Sequence, residues 1–157
     1  MLKKILALCL CLSLVGCGKI NYERSTEPGV IKEITMADVQ NKIDNKETFM
    51  FVFTQPSCHN CADFKENILN KYITNHGFEF NEVVLTLSME TAPVFEWVKN
   101  HPNPIDQLEE GLLPDDVLTP AFYFIEKGEV KDIIIGANMT KKVLEEMVVK
   151  YQLDEVK

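Results

Sequence analysis

Two cysteines separated by two residues constrain the fold of this chain more than any other feature. Cys58 and Cys61 follow the apolar run 49–53, and the residues after them have a helical pattern. This order is typical of a buried strand that turns into a helix. Cys58 is then expected at the helix N-terminus, where free N–H groups and the helix dipole favour a thiolate. Cys61 lies nearly one turn further on, close enough to attack a mixed disulfide formed by Cys58, so the spacing favours dithiol chemistry.

The beginning of the chain is predicted to lie outside the folded domain. Two lysines precede the apolar stretch 5–15, which is too short to span a bilayer comfortably. The segment Leu14-Val15-Gly16-Cys17 resembles the lipobox of bacterial lipoproteins, in which the peptide is cut before the cysteine and its sulfur carries a diacylglycerol. This resemblance predicts a signal peptide over 1–16, a lipid-anchored tether over 17–33 and a location on the outer face of a bacterial membrane. The alternative is an ordinary signal peptide with an incidental cysteine.

Processing of this kind determines which cysteines remain as thiols. Cys9 and Cys11 leave with the signal peptide and Cys17 carries lipid, so Cys58 and Cys61 are left. A structural disulfide framework in a small exported domain usually has more pairs than one. The remaining pair is therefore interpreted as a working dithiol.

Size and charge limit the other classes of function. Residues 17–157 are enough for one domain with a real core. Loss of Lys3 and Lys4 with the signal peptide changes the formal net charge from −8 to −10. An acidic exported chain argues against nucleic-acid binding and against electrostatic adhesion to anionic lipid, so membrane attachment depends on the anchor.

Periodicity and turn residues predict an α/β domain over 34–157. The helices and strands alternate and end in a strand–turn–strand segment at Lys127-Gly128. The order predicts a central mixed sheet flanked by helices, with parallel strands around a right-handed crossover and a C-terminal antiparallel hairpin. The predicted elements are a helix capped by Thr35, a strand over 48–53, a helix over 58–72, a strand over 80–87, a helix over 92–100, strands over 121–125 and 130–135, and a helix capped by Thr140.

Two segments together resemble the thioredoxin superfamily. The first is the strand followed by Cys58-His59-Asn60-Cys61, and the second runs from Thr119-Pro120-Ala121 through the hairpin to the last helix. The likeness covers roughly residues 34–152 and implies a thioredoxin-like fold with a helical insertion over about 89–119. Among exported members, the chain is similar to small thioredoxin-like lipoproteins, including the bacteriocin transport accessory group.

The resemblance also implies roles for individual residues. Cys58 is expected to be the nucleophile and Cys61 the resolving thiol, and no cofactor is needed. A cis Thr119–Pro120 bond is expected beside the dithiol, exposing the Thr119 backbone to an extended substrate; His59 and Asn60 are expected to face that substrate. The implied function is that of a membrane-anchored extracytoplasmic thiol–disulfide oxidoreductase. Its partners would be exported protein thiols or disulfides and a membrane redox partner.

Departures from the family pattern bear on the direction of the reaction. Ser57 stands where reductases of the family usually have Trp, and Val52 stands where they often have a buried Asp that helps to deprotonate the resolving thiol. His59, as an imidazolium, is expected to lower the pKa of the Cys58 thiol. Together with Thr119 before the proline, these residues favour a relatively oxidising couple, hence dithiol oxidation or disulfide exchange.

Two other classes of function remain open at the level of the sequence. Cys58, Cys61 and a histidine could bind Zn²⁺ or Cu⁺, although no second C-x-x-C completes a closed metal site, so we predict no metal. The second alternative is a non-catalytic accessory lipoprotein that docks on an export or cell-envelope system. His76 and His101 are interpreted as structural or solvated, and Trp97 as a core aromatic rather than part of a partner groove.

Overall fold

A computed structural model describes residues 20–87 and 91–156. The predicted signal peptide and Cys17 lie outside the described residues. The strands are β1 Val30–Glu33, β2 Phe49–Thr54, β3 Glu79–Val84, β4 Ala121–Glu126 and β5 Glu129–Ile135. The helices are α1 Met36–Asp44, α2 His59–Phe64, α3 Asn70–Tyr72, α4 Ala92–Asn100 and α5 Lys141–Lys150. A π-helical turn, Lys65–Leu69, joins α2 to α3, and 3₁₀ turns lie at Ile105–Gln107 and Gly136–Asn138. No helix within these residues is long and apolar enough to cross a membrane.

The five strands form one mixed sheet in the order β1-β3-β2-β4-β5. β3 pairs in parallel with both β1 and β2, whereas β4 pairs antiparallel with β2 and with β5. The parallel β2–β3 pair follows from the helical connection between these strands, and the antiparallel β4–β5 pair from their two-residue turn. The predicted mixed sheet with its C-terminal hairpin is therefore confirmed.

The central strand β2 explains why the core is two-sided. All six of its residues are buried, and alternate side chains point to opposite faces of the sheet. Met50 and Val52 join the apolar cluster that includes Phe64, Phe122 and Leu144. On the opposite face, Phe49, Phe51 and Phe53 join a second cluster with Val39, Tyr123 and Trp97.

Local signals in the sequence set the ends of several elements. Thr35 caps α1 and forms a capping box with Asp38, and the Thr140 hydroxyl accepts from the Val143 backbone N–H at the start of α5. Lys127 and Gly128 both have positive φ, 52° and 80°, as a type I′ hairpin turn requires. A Cβ at Gly128 would lie 2.5 Å from the Ile43 carbonyl oxygen, so no larger residue fits this turn without movement.

Three segments differ from the sequence prediction. Residues 30–33, assigned to the tether, form edge strand β1, because β3 leaves a row of backbone groups that a parallel strand can pair with. The strand predicted over 80–87 is shorter at its end, since β3 stops at Val84. The segment predicted as a helical insertion over about 89–119 contains α4, with Pro93 in its first turn, and a single 3₁₀ turn at Ile105–Gln107, so its second half is mostly not helical.

Candidate active site

Cys58 occupies the N-cap of α2, at the point where the chain leaves β2. A turn through Pro56 and Ser57 reverses the chain, and the Cys58 backbone N–H donates to the Gln55 carbonyl at 3.0 Å. The Cys58 sulfur then accepts from the backbone N–H of Cys61, with an N···S distance of 3.0 Å. This N–H belongs to the first helical turn, which leaves its donors unpaired unless a capping side chain accepts from them. The same contact would stabilise a Cys58 thiolate.

Cys61 lies on the inner side of the first turn of α2. Its sulfur is bonded to that of Cys58 as a disulfide, with the two Cα atoms 5.2 Å apart. The side chains are 8% exposed at Cys58 and 4% at Cys61, so Cys58 lies slightly nearer the surface. The structure thus brings the two predicted cysteines together as a disulfide.

The segment before β4 approaches the dithiol from the other side. The Thr119–Pro120 peptide bond is cis, as predicted, and Pro120 is buried. The Thr119 carbonyl oxygen lies 3.4 Å from the Cys58 sulfur. The Pro120 carbonyl accepts from the Gly136 N–H at 2.8 Å, which ties this segment to the end of β5. Thr119 therefore presents its carbonyl oxygen next to the Cys58 sulfur.

The two residues between the cysteines face outward. His59 and Asn60 are exposed on the first turn of α2. Asn60 lines a small cavity with Gly136, Ala137 and Thr140, between α2 and the start of α5. Both side chains are thus accessible to a molecule bound at the dithiol.

The other two histidines take part in packing away from the dithiol. The His76 ring stacks on Tyr72 with ring centres 4.1 Å apart, and that of His101 lies 4.1 Å from the ring of Trp97. Each ring also hydrogen-bonds through Nδ1 to the carbonyl four residues earlier. Trp97 is 7% exposed and belongs to the core, as predicted.

A buried carboxylate beside the dithiol was missed by the sequence analysis. Val52 carries no acid, as noted above, but its register partner on β3 is Glu82, which is 5% exposed. The Thr54 hydroxyl donates to Glu82 Oε1 at 2.5 Å, and Lys65 Nζ lies 2.5 Å from the same oxygen. Position 52 is indeed apolar, but Glu82 on the neighbouring strand supplies a buried carboxylate. An available signal was that Glu82 shares its strand face with Phe80, which predicts a charge on the core side.

An apolar cavity of about 610 Å³ adjoins the loop that precedes Cys58. Pro56 and Ser57 line it on the side of the dithiol, and Val117, Phe95 and Leu87 line it on the side of the insertion. Phe95 is 57% exposed although it is a large apolar residue. The insertion thus adds an open apolar surface next to the cysteines.

The metal alternative requires a third ligand beside Cys58 and Cys61. Within 20–87 and 91–156, no group of three or more His, Cys, Asp or Glu side chains is placed to hold a metal ion. The alternative of Cys58, Cys61 and a histidine as ligands thus gains no third ligand there. His59, the histidine nearest in sequence, is exposed on the helix.

Solved structures that match this chain are thioredoxins of low sequence identity. The Malassezia sympodialis thioredoxin is 11% identical, the match covers 80% of this chain and 93% of that one, and the TM-score is 0.52. The Schistosoma mansoni thioredoxin is 13% identical, the match covers 77% of this chain and 97% of that one, and the TM-score is 0.49. The Fasciola hepatica thioredoxin is 20% identical, the match covers 78% of this chain and 99% of that one, and the TM-score is 0.47. No protein-family model matches the chain, and no curated protein matches it significantly. The predicted thioredoxin-like α/β fold is confirmed.

Proposed function

We propose that this protein is a thiol–disulfide oxidoreductase that works through Cys58 and Cys61. The observation that supports the proposal is that the Cys58 sulfur makes two contacts, one with a backbone N–H and one with a backbone carbonyl. Cys58 Sγ accepts from the Cys61 N–H at 3.0 Å and lies 3.4 Å from the Thr119 carbonyl. The first contact would stabilise a thiolate, and the second supports the proposal that an extended substrate pairs with the Thr119 backbone beside Cys58.

The proposed reaction needs no cofactor. In the reductive direction, the Cys58 thiolate attacks a substrate disulfide and releases one substrate thiolate, and Cys61 then displaces the second. In the oxidative direction, a substrate thiolate attacks the Cys58–Cys61 disulfide, and the same steps run in reverse. Two electrons pass between the substrate and the cysteine pair in either case.

The proposal includes a location and a class of partner. Cys17 would carry a diacylglycerol and hold the domain on the outer face of a bacterial membrane, as in the small thioredoxin-like lipoproteins. The substrates would be exported protein thiols or disulfides, and a membrane redox partner would restore the starting state of Cys58 and Cys61. The support for this part is the sequence Leu14-Val15-Gly16-Cys17 after a short apolar run.

The proposed direction is oxidation or exchange. The Cys61 N–H and the helix N-terminus favour the reduced form of the pair by stabilising the Cys58 thiolate, and a more stable reduced form is a stronger oxidant. An imidazolium at the exposed position 59 would add to this effect. The absence of an acidic residue at position 52 does not support the oxidative direction, because the carboxylate of Glu82 lies beside Val52 on the neighbouring strand.

The reduction potential of the Cys58–Cys61 pair tests the proposed function. Equilibration with glutathione at several ratios should give a value above the thioredoxin value of about −270 mV. His59→Ala should lower it by about 10–20 mV, because an exposed charge contributes up to about 1 kcal/mol and 30 mV corresponds to about 1.4 kcal/mol. His76→Ala is the control, because His76 lies beyond the end of α3 and packs on Tyr72 away from the dithiol. A potential at or below −270 mV would favour an anchored reductase over this direction.

A second candidate function is docking on an export or cell-envelope system. The observation that favours it is the open apolar surface around Phe95, whose side chain is 57% exposed. The double variant Cys58→Ser/Cys61→Ser separates the two candidates. If it supports the cellular function as well as the wild type, docking alone is sufficient.

A further inference from the structure

The Glu82 carboxylate is buried, and Lys65 reaches it from the π-helical turn that follows α2. The Glu82 side chain is 6% exposed and that of Lys65 is 35% exposed. Glu82 Oε1 meets both the Thr54 hydroxyl and the Lys65 ammonium at 2.5 Å. Its carboxylate is therefore held at a fixed position on the face of the sheet that α2 covers.

This carboxylate shares one small cavity with the two cysteines. The cavity has a volume of about 180 Å³, and Cys58, Cys61, Lys65, Thr54 and Glu82 are among the residues that line it. A space of this size can hold water molecules, since one water needs only about 10–15 Å³ of such volume and polar partners. Water in this cavity would give a proton a path between the Cys61 sulfur and Glu82.

Stability does not account for a charge at this position. A carboxylate that leaves water loses several kcal/mol of hydration, and replacing such an ion pair by apolar groups of similar size is often neutral or stabilising. The register partner Val52 shows that an apolar side chain packs well at the same level of this sheet face. A role in the chemistry of the neighbouring thiols explains the retained charge.

We infer that Glu82 is the proton acceptor for Cys61 in the resolving step, an inference that rests on the proposed function. In the mixed disulfide, Cys58 is bonded to a substrate sulfur and Cys61 is a thiol. Glu82 takes the Cys61 proton, and the Cys61 thiolate forms a bond to Cys58 Sγ. The bond between Cys58 and the substrate sulfur breaks, and that sulfur leaves with the electron pair. The cysteine pair is oxidised, the substrate disulfide is reduced, and Glu82 returns its proton to the departing thiolate or to solvent.

The surroundings of Glu82 define what else can influence this transfer. Lys65 faces it from the π-helical turn, Cys58 and Cys61 face it across the cavity, and the Thr54 hydroxyl faces it from β2. On β1, the register partner of Glu82 is Glu33, which is exposed. Lys65 Nζ lies 2.5 Å from the carboxylate, whereas Glu33 is open to solvent and its charge is screened.

Reaction with the aromatic disulfide dithiobis-nitrobenzoate separates the two steps. The reduced protein should release one coloured thiolate when Cys58 attacks and a second when Cys61 resolves the mixed disulfide. Stopped-flow absorbance at neutral pH gives a rate for each phase under limiting reagent. Cys61→Ser should show the first phase alone, which assigns the phases independently of Glu82.

Glu82→Gln should slow the second phase at neutral pH by about tenfold or more, because the variant loses the general base. The rate of the first phase should change by less than about twofold. Its second phase should recover as the pH rises toward the ordinary thiol pKa of about 8.5, since solvent then removes the proton. Glu82→Asp keeps a carboxylate and should retain most of the rate. Glu79→Gln is the matched control, because Glu79 is on the same strand and also pairs with lysines, Lys32 and Lys42.

A variant without either charge covers the case in which Glu82→Gln fails to fold. Glu82→Gln/Lys65→Met leaves no unpaired buried charge, the condition that makes single replacements costly. It should fold and show the same slow second phase. A second phase as fast as that of the wild type, in this double variant or in Glu82→Gln, would overturn the inference about Glu82. The proposed function would still be supported by the first phase. A reduced wild-type protein that shows neither phase would overturn the proposed function itself.

Discussion

At the scale of single residues, Cys58 has two roles that use the same geometry. The N-cap of a helix is usually Ser, Thr, Asp or Asn, whose side-chain oxygen accepts from a backbone N–H of the first turn. Here the Cys58 sulfur accepts from the Cys61 N–H. A capping sulfur becomes a better acceptor when it ionises, so the cap that begins α2 also favours the reactive form of the thiol.

The first prediction concerns the relative reactivity of the two thiols. When the reduced protein is treated with limiting iodoacetamide near neutral pH, Cys58 should carry most of the label. The physical reason is its position at the helix N-terminus and its slightly greater exposure, 8% against 4%. Peptide mapping by mass spectrometry measures the ratio, with the fully unfolded protein as the reference for equal labelling. Preferential labelling of Cys61 would reverse the assigned roles.

At the scale of elements, the segment before β1 is joined to the last helix and to the end of the chain. The Arg24 guanidinium donates to both carboxylate oxygens of Glu145 on α5, at 2.6 and 3.0 Å, and to Asp154 at 2.7 Å. Tyr22 donates to the same Asp154, which is fully buried. The two chain ends also share backbone hydrogen bonds, such as the one from the Ser25 N–H to the Asp154 carbonyl. This part of the predicted tether therefore belongs to the domain.

The pH dependence of stability should report this contact. The Arg24 guanidinium, which donates to Glu145, lowers the pKa of Glu145 from 4.5 to about 2. A lowered pKa means that the stabilisation is complete above about pH 4.5 and is lost as the pH falls toward 2. Glu145→Gln should therefore cost about 1 kcal/mol of unfolding free energy at pH 7, because the side chain is 40% exposed and solvent screens part of the interaction.

The same variant should flatten the decline of stability between pH 4.5 and 2. Urea unfolding at several pH values measures both effects. Glu146→Gln is the matched control, because Glu146 is the sequence neighbour of Glu145 and pairs only with exposed Lys142, at 3.6 Å, among the ion pairs of the described residues. An equal loss of stability in both variants would show that the Arg24 contact contributes nothing specific.

At the scale of the whole molecule, anchoring and chemistry are separate properties of the chain. The proposed anchor is at Cys17, which lies outside the described residues, whereas the dithiol follows β2 in the middle of the sheet. Since Arg24 and residues 30–33 are held on the domain, the tether predicted over 17–33 is shorter than that range. The proposed enzyme would thus work close to the membrane surface.

The anchor leads to a prediction for the intact protein in a bacterial host. Wild-type protein should be in the membrane fraction, and its N-terminal peptide should begin at Cys17 and carry a diacylglycerol. Cys17→Ser should move the protein out of the membrane fraction, because covalent lipid is what holds it there. Cys58→Ser is the control and should stay membrane-bound. An unchanged membrane-bound fraction for Cys17→Ser would reject the lipoprotein interpretation.

The sequence by itself determined the elements that depend on near neighbours. The capping box of Thr35 and Asp38, the apolar run of β2, Pro93 in the first turn of α4 and the Lys127-Gly128 turn all act over a few residues. Their signals can therefore be read from spacing and residue type. The same holds for Cys58 and Cys61, which are three residues apart.

Tertiary structure alone decided which distant residues meet. The approach of Thr119 to Cys58 joins residues 61 apart in the chain, and that of Arg24 to Asp154 joins residues 130 apart. The sequence analysis reached Thr119 through a family resemblance and did not find the contacts of Arg24. It also missed Glu82, because only the β2–β3 register places that carboxylate beside Val52 and under α2. A side chain's partner across a sheet depends on strand order and register, which are properties of the folded chain and have no local signal in the sequence.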